Sequence, residues 1–314
     1  MTRQRPPAQR FLFTLLTLLL VCPHRAAAFG LNRQPTRWKQ GASIEFVVNM
    51  ANVPSTISQA QFVDVVRHAL EPWTQIPTAK LHFTVGPVIN DPDKTTPQAD
   101  GVNVIFWESG SVPRGDMFAG KAYPFPSECD ILLQPQAPYT LIDVRAIVIH
   151  ELGHCMGLAH STAHSVMTKL QGLPSLGSDD AIAVSLLYPS PEASLEEVTA
   201  TITGQVKRSG RPLLGAVLRV IDPRTQRIVV AGFSGLVDEQ RRKDSSGGFE
   251  LPGLPPGRYT IKVEPMDAFT AADPKGYGAP VDEPPPPFAP LSVELPELEA
   301  GETHDVGSLD VHDR

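Results

Sequence analysis

The chain has 314 residues, a length that fits two ordinary domains. Its hydrophobic fraction of 41% is that of a globular protein, and its formal net charge is −7. An acidic surplus argues against a nucleic-acid binder that works through phosphate contacts, so we expect no nucleic-acid partner.

The first 28 residues are typical of a secretory signal peptide. A basic start is followed by an apolar run from Phe11 to Val21 and by three alanines at 26–28 that offer a cleavage site. The run is too short to span a bilayer comfortably. We therefore expect export to a periplasm or the extracellular medium, without stable membrane insertion. A lipid anchor on Cys22 is disfavoured, because Val21 is bulkier than the small residue that normally precedes a lipidated cysteine.

Removal of a signal peptide leaves two cysteines, Cys129 and Cys155. In an oxidising compartment these residues can form a disulfide. The alternative is a pair of buried thiols, because the sequence gives no distance between them. Both interpretations stay open at this point.

Residues 29–189 show the pattern of an α+β domain. Two of its helices have clear start signals. Thr140 is predicted to cap the second helix, with Asp143 at the spacing of a capping box. Ser178 is predicted to cap the third, with Asp179 and Asp180 in a first turn that favours negative charge. Strands are predicted over 43–49, 80–85, 102–107 and 129–133, and helices over 62–73, 141–156 and 178–188.

From residue 199 the pattern changes to alternation with a period of two, which predicts an all-β sandwich over 199–312. Residues 190–198 are expected to be a linker. The proline-rich stretch 265–290 is expected to be a loop or disordered. The strands are predicted over 201–206, 213–221, 227–232, 249–251 and 258–263, with closing strands over 291–295 and 305–311.

A metal-binding pattern stands at residues 150–160, which read His-Glu-Leu-Gly-His-Cys-Met-Gly-Leu-Ala-His. His150 and His154 are four residues apart on a helix, so both imidazoles emerge from one face and can bind one Zn²⁺. Gly157 lets the chain turn sharply, since glycine tolerates positive φ. His160 can then return to the metal as the third ligand.

The same pattern places an acid beside the metal. Three neutral imidazoles leave one zinc position open for a water, whose pKa zinc lowers to about 7. Glu151 is placed to take the proton of that water and to pass it to the leaving amine of a peptide bond.

These fixed positions resemble those of the metzincin metalloproteases. Ser165-Val166-Met167 is similar to their methionine turn, which implies that Met167 forms the hydrophobic floor under the zinc. Residues 36–189 most resemble the matrixins, through Ser161 after the third histidine and through the stretch 176–188. The resemblance implies a twisted mixed sheet with three helices and a protein or peptide substrate.

The resemblance also carries expectations about metal ions. The stretch 118–123 holds no histidine for the structural zinc that is common in matrixins, so we expect one catalytic zinc. Structural calcium is common in the family but has no clear motif here. The candidate ligands, for which we favour a solvated loop, are Asp91, Asp93, Asp100 and Asp116.

A substrate site is implied in the same way. In metzincins the edge strand above the zinc pairs with an extended peptide. We expect the strand that contains Asp130, Ile131 and Leu132 to play this part. The loop 168–177, with Leu170 and Leu173, is expected to line a pocket that accepts an apolar residue after the cleaved bond.

Residues 199–264 resemble a carboxypeptidase-regulatory-like, prealbumin-type sandwich, through the stretches 202–206 and 248–259. Such modules stabilise, space or attach a neighbouring domain. The favoured function is that of a secreted zinc endopeptidase, which we expect to be a monomer. The alternative is a binding or adhesion protein with an idle metzincin fold, against which the presence of Glu151 speaks. A peptidase that trims chain ends ranks last, because no group that recognises a terminus is visible.

Overall fold

The computed structural model describes residues 38–109, 119–135, 139–169, 173–236 and 243–313. The predicted signal peptide, the candidate calcium ligand Asp116 and the candidate pocket residue Leu170 lie outside the described residues.

The N-terminal part is built on a five-stranded sheet with the order β2-β1-β3-β5-β4. Its strands are β1 (Ser43–Asn49), β2 (His82–Ile89), β3 (Asn103–Trp107), β4 (Gly120–Pro124) and β5 (Cys129–Leu133). Strands β1, β2, β3 and β5 run parallel, and β4 runs antiparallel to β5. The prediction of an α+β domain with a mixed sheet is confirmed.

Three helices accompany this sheet, namely α1 (Gln59–Thr74), α2 (Leu141–Met156) and α3 (Ser178–Leu187). Capping boxes begin α1 at Ser58 and α2 at Thr140. The cap of α3 is Gly177 and not Ser178 as predicted, because the carboxylate of Asp180 accepts the Gly177 N–H at 2.7 Å. The buried side of α1, from Phe62 to Trp73, packs against α2 and the sheet, which places α2 in the core.

Strand β4 was not predicted, because its two ends are Gly120 and Pro124, and glycine and proline are uncommon within strands. It is one of the two edge strands of the described sheet, and β5 lies between β3 and β4. The expectation that β5, with Asp130 to Leu132, is the edge strand is therefore wrong. The backbone of β5 already pairs on both sides and cannot take up a peptide by strand addition.

The C-terminal part contains two four-stranded sheets, one with the order β10-β6-β13 plus β7 beside β6, the other with the order β12-β11-β8-β9. Side chains from both sheets are buried in one apolar core, as a sandwich requires. The strands are β6 (Ala200–Arg208), β7 (Arg211–Pro212), β8 (Val217–Ile221), β9 (Ile228–Phe233), β10 (Gly248–Leu254), β11 (Gly257–Glu264), β12 (Leu291–Leu298) and β13 (Thr303–Val311).

The expected linker and the proline-rich stretch both contain short helices. A short helix, α4 (Leu195–Val198), lies in the predicted linker. Within 265–290 the chain forms helix α5 (Ala268–Ala272) and a 3₁₀ turn (Pro274–Tyr277), and the rest of the stretch is loop. Tyr277 and Ala279 pack in a small apolar cluster with Val217 and Phe233, which holds the stretch on the sandwich.

The C-terminal sheets contact helix α3. A Cβ atom at Gly253 would lie 2.4 Å from Ile182 Cγ1, so the backbone of β10 contacts α3 directly. The backbone N–H of Ala231 in β9 also donates to Asp179 at 3.1 Å. Helix α3 thus joins the two parts of the molecule. Among the described residues, none of the helices has the length and apolar character needed to cross a membrane.

Candidate metal centre

Three histidines converge at the end of helix α2. The ring centroids of His150 and His154 are 4.7 Å apart, as expected for residues one helical turn apart. Helix α2 ends at Gly157, whose φ of 106° turns the chain back. This turn brings the ring of His160 to 4.9 Å from that of His154, and one ligand atom from each histidine lies within 4.8 Å of the others.

Backbone carbonyls orient two of these rings. His150 Nδ1 lies 2.7 Å from the Val166 carbonyl oxygen, and His154 Nδ1 lies 2.8 Å from that of Leu158. A proton on each Nδ1 satisfies these carbonyls and leaves the Nε2 lone pair free for a metal. His160 Nδ1 is buried and has no hydrogen-bond partner among the described residues. A buried orphan nitrogen is costly, so it too fits a cluster that is completed by a metal ion.

The environment keeps the imidazoles neutral, which metal ligation requires. Burial lowers the pKa of His150. Burial, followed by repulsion from the other two histidines, lowers the pKa of His154 well below its usual value. Burial, with smaller contributions from His150 and Lys169, lowers the pKa of His160 to about 4. Three neutral nitrogen donors at this spacing suit a tetrahedral Zn²⁺ site with one open position.

Glu151 lies beside this cluster and is almost fully buried. Its Oε2 accepts the backbone N–H of Ala122 at 2.7 Å. Burial raises the pKa of Glu151 to about 8, against the lowering effect of that hydrogen bond and of Lys121. Because the Ala122 N–H points to Glu151 and not to β5, the free edge of β4 faces this acid.

Met167 forms a floor under helix α2 and is 2% exposed. A Cβ atom at Gly153 would lie 2.2 Å from Met167 Sδ, so a larger residue there would displace the Met167 side chain. Gly153 is one of the unspecified positions between the first two histidines, and the sequence pattern alone gave it no role.

The loop from His160 to Met167 is held by the two acids at the start of α3. Asp180 Oδ2 accepts the Val166 N–H at 2.9 Å, and Asp179 Oδ2 accepts the Ser161 hydroxyl at 2.6 Å. Burial raises the pKa of Asp180, and it raises that of Asp179 to about 7. Sequence reasoning assigned both acids to the helix dipole and missed their contacts with this loop.

A disulfide joins Cys129 in β5 to Cys155 in α2, with Cα atoms 5.6 Å apart. The sequence left open whether these two cysteines are bonded, and the structure shows that they are. Since Cys155 follows His154 directly, the bond ties the histidine helix to the central sheet.

The 3₁₀ turn of the C-terminal part contacts the third histidine. The His160 backbone N–H donates to the Gly276 carbonyl at 3.0 Å, and the rings of His160 and Tyr277 are 5.6 Å apart. Lys169 also pairs with Asp273 at 3.1 Å. Sequence reasoning missed this segment entirely, since no motif marks it.

Other predicted site residues lie elsewhere. Asp130 is buried and accepts the backbone N–H groups of Gln98 and Val104, both at 2.9 Å, and burial raises its pKa to about 6. Ile131 is fully buried and Leu132 is almost fully buried, so these residues of β5 are core residues. Leu173 lines a cavity between the two parts of the molecule.

Two of the aspartates considered for calcium already have local partners. Asp91 accepts the backbone N–H of Asp93 at 2.9 Å, which begins a short 3₁₀ turn. Asp100 pairs with Lys94.

Comparison with known proteins supports this description of the N-terminal part. Residues 37–189 match the model of the matrixin family. This part of the chain is therefore similar to the matrixins, a family of zinc metallopeptidases, and it contains the histidine cluster. No curated protein matches the chain.

Proposed function

We propose that this protein is a secreted zinc endopeptidase that cuts within unfolded or extended polypeptide. The observation that carries the proposal is the cluster itself. His150, His154 and His160 converge on one point, and Glu151, which follows His150, accepts a hydrogen bond from Ala122 in the edge strand β4.

The three histidines would hold the zinc, with His150 and His154 oriented by their carbonyl partners. Bound there, zinc supplies a Lewis acid that polarises the peptide carbonyl and makes a water acidic near neutral pH. Glu151 is the general base that accepts the proton of the attacking water and returns it to the leaving nitrogen. The Ala122 N–H keeps one carboxylate oxygen of Glu151 in place, which leaves the other oxygen for this transfer.

Substrate would bind along β4. Its outer edge pairs with no other strand of the described sheet. Since Glu151 occupies the Ala122 N–H, an extended peptide would add through the other main-chain groups of this edge. This edge adjoins Glu151, so a peptide placed on it passes the reacting groups. Such pairing recognises the peptide backbone and does not require a free chain terminus, which favours an endopeptidase.

Export is part of the proposal and rests on two observations. The N-terminal residues have the composition of a signal peptide. The disulfide between Cys129 and Cys155 suits an oxidising compartment.

The test compares hydrolysis of casein by the chain from residue 29 to 314, with and without a zinc chelator, and by the variant Glu151→Gln. Glutamine keeps an oxygen for the Ala122 N–H but cannot act as a base. We expect one zinc per chain in both proteins and a loss of activity of about 10²–10⁴-fold in the variant. The matched control is Glu71→Gln on the exposed side of α1, which should cleave like the wild type.

Two results would contradict the proposal. Equal activity of Glu151→Gln would exclude Glu151 as the base. A wild-type chain that binds one zinc and cleaves no protein would favour an idle binding protein.

A further inference from the structure

A cavity of about 460 Å³ lies between the matrixin-like domain and the sandwich. Its size falls within the range of ligand pockets in proteins. One wall comes from the loop after the third histidine, including Ser161, Thr168 and Leu173. The opposite wall comes from the C-terminal part, including Arg227 and Phe269.

The cavity adjoins the metal centre. Tyr277 lines it and also packs on the ring of His160, and Ser161 follows that histidine directly in the chain. A peptide that passes the histidine cluster on this side would therefore meet a surface made by both parts of the molecule.

Two side chains in the wall are suited to contact a ligand. Phe269 is 58% exposed, one of only four large apolar side chains that are exposed among the described residues. The hydroxyl of Thr270 is buried and has no hydrogen-bond partner within the described part of the chain. An aromatic face beside an orphan hydroxyl suits an apolar group with a polar end.

The charge of the wall points to the nature of that polar end. Arg219 is paired with Glu264 and Asp267, and Lys169 is paired with Asp273. Arg227 is exposed and takes part in none of the ion pairs formed among the described residues. Among the described arginines and lysines of the wall, it is the one whose charge is available to attract an acceptor.

We propose that this cavity is a subsite of the substrate cleft, in which Phe269 and Arg227 select a large side chain with an apolar body and an acidic or hydrogen-bond-accepting end. The inference rests on the proposed function, since it names the feature that the peptidase site recognises. In this arrangement the C-terminal part determines substrate specificity and also supports His160.

The test profiles cleavage of a mixed peptide library by the full mature chain and by two variants. Phe269→Ala should lower kcat/KM for the preferred peptides about tenfold. Arg227→Glu should shift the preference between acidic and basic residues at one substrate position by at least about tenfold, because like charges would then oppose.

Two matched controls substitute the same kinds of side chain outside the cavity. Arg224→Glu alters the charge on the same turn, and Val198→Ala truncates another exposed apolar side chain. Neither residue lines the cavity, so both controls should keep the wild-type profile. The four substituted positions are exposed, and zinc content checks that each variant is folded.

A second measurement separates this inference from the proposed function. The library is passed over Glu151→Gln, with and without Arg227→Glu, and the retained peptides are sequenced. Retention that changes with Arg227→Glu would support the subsite even if the wild type cleaves nothing, in which case the peptidase proposal alone fails. Cleavage with one unchanged profile in all variants would overturn the subsite and leave the peptidase standing. Absence of both cleavage and selective retention would overturn both.

Discussion

Helix α2 and the segment 265–278 meet at the same histidine but differ in how they are encoded. Helix α2 carries its ligands at local spacing, and the turn at Gly157 returns His160 within a few residues. The segment comes from more than a hundred residues further along and contacts His160 through the Gly276 carbonyl and the Tyr277 ring. A carbonyl and an aromatic ring leave no pattern in sequence. The comparison shows that the ligands of a metal site can be recognised locally, whereas their supports depend on packing.

The largest effect is expected when one of the locally spaced metal ligands is removed. His160→Ala removes one of three ligands and should reduce zinc affinity by more than the roughly 10–100-fold that a lost outer partner typically costs. Metal content after dialysis and casein hydrolysis measure this. The control is His164→Ala, a nearby histidine outside the cluster, which should keep zinc. Retention of zinc by His160→Ala would show that the ligand set is wrong.

The disulfide tests how firmly α2 is held on its sheet. The bond closes a loop with a sequence separation of 26, so Cys129→Ala/Cys155→Ala should lower the free energy of unfolding by about 3 kcal/mol. Urea denaturation measures the change. The single variant Cys155→Ala should lose about as much, since either change removes the bond. An unchanged midpoint in both variants would show that the bond does not constrain the unfolded chain.

The pH dependence of stability tests the junction between the two regions, which Asp179 bridges through Ser161 and Ala231. Its pKa is raised from 3.8 to about 7, chiefly by burial, so the folded state binds the proton more tightly than the unfolded state. Stability from this group is therefore present below pH 4 and is lost as the pH rises towards 7. Asp179→Asn should flatten this decline in the free energy of unfolding, measured by denaturation between pH 4 and 8.

The control for this experiment is Asp64→Asn, because Asp64 is exposed on α1. It should change stability little at any pH. A wild-type protein that gains stability between pH 4 and 7, with the gain lost in Asp179→Asn, would contradict the assignment.

The smallest effect is expected from the contact that the segment 265–278 makes with His160. Tyr277→Ala removes the ring against His160 and should weaken zinc binding about tenfold, the lower end for an outer partner. A competing chelator titration measures the affinity. Tyr277→Phe keeps the ring and should bind zinc like the wild type. Equal zinc affinity in all three proteins would show that the segment lines the cavity but does not influence zinc binding.

The errors of sequence-based prediction have physical causes. β4 was missed because its ends are glycine and proline, and this omission assigned the edge position to β5. The stretch 265–290 was expected to be loop or disordered because of its prolines. Proline restricts regular structure but not burial, and Phe288 within it is fully buried.

The sequence predicts the three histidines, the acid between the first two, the methionine turn and most strands and helices of both parts. These follow from spacing and periodicity, which are local properties of the chain. The tertiary structure alone decided which strand lies at the edge, that Cys129 and Cys155 form a bond, what the acids of α3 hold, and that the C-terminal part contacts His160. These depend on which distant surfaces pack together, and side chains that fit one another across such distances share no common pattern along the chain.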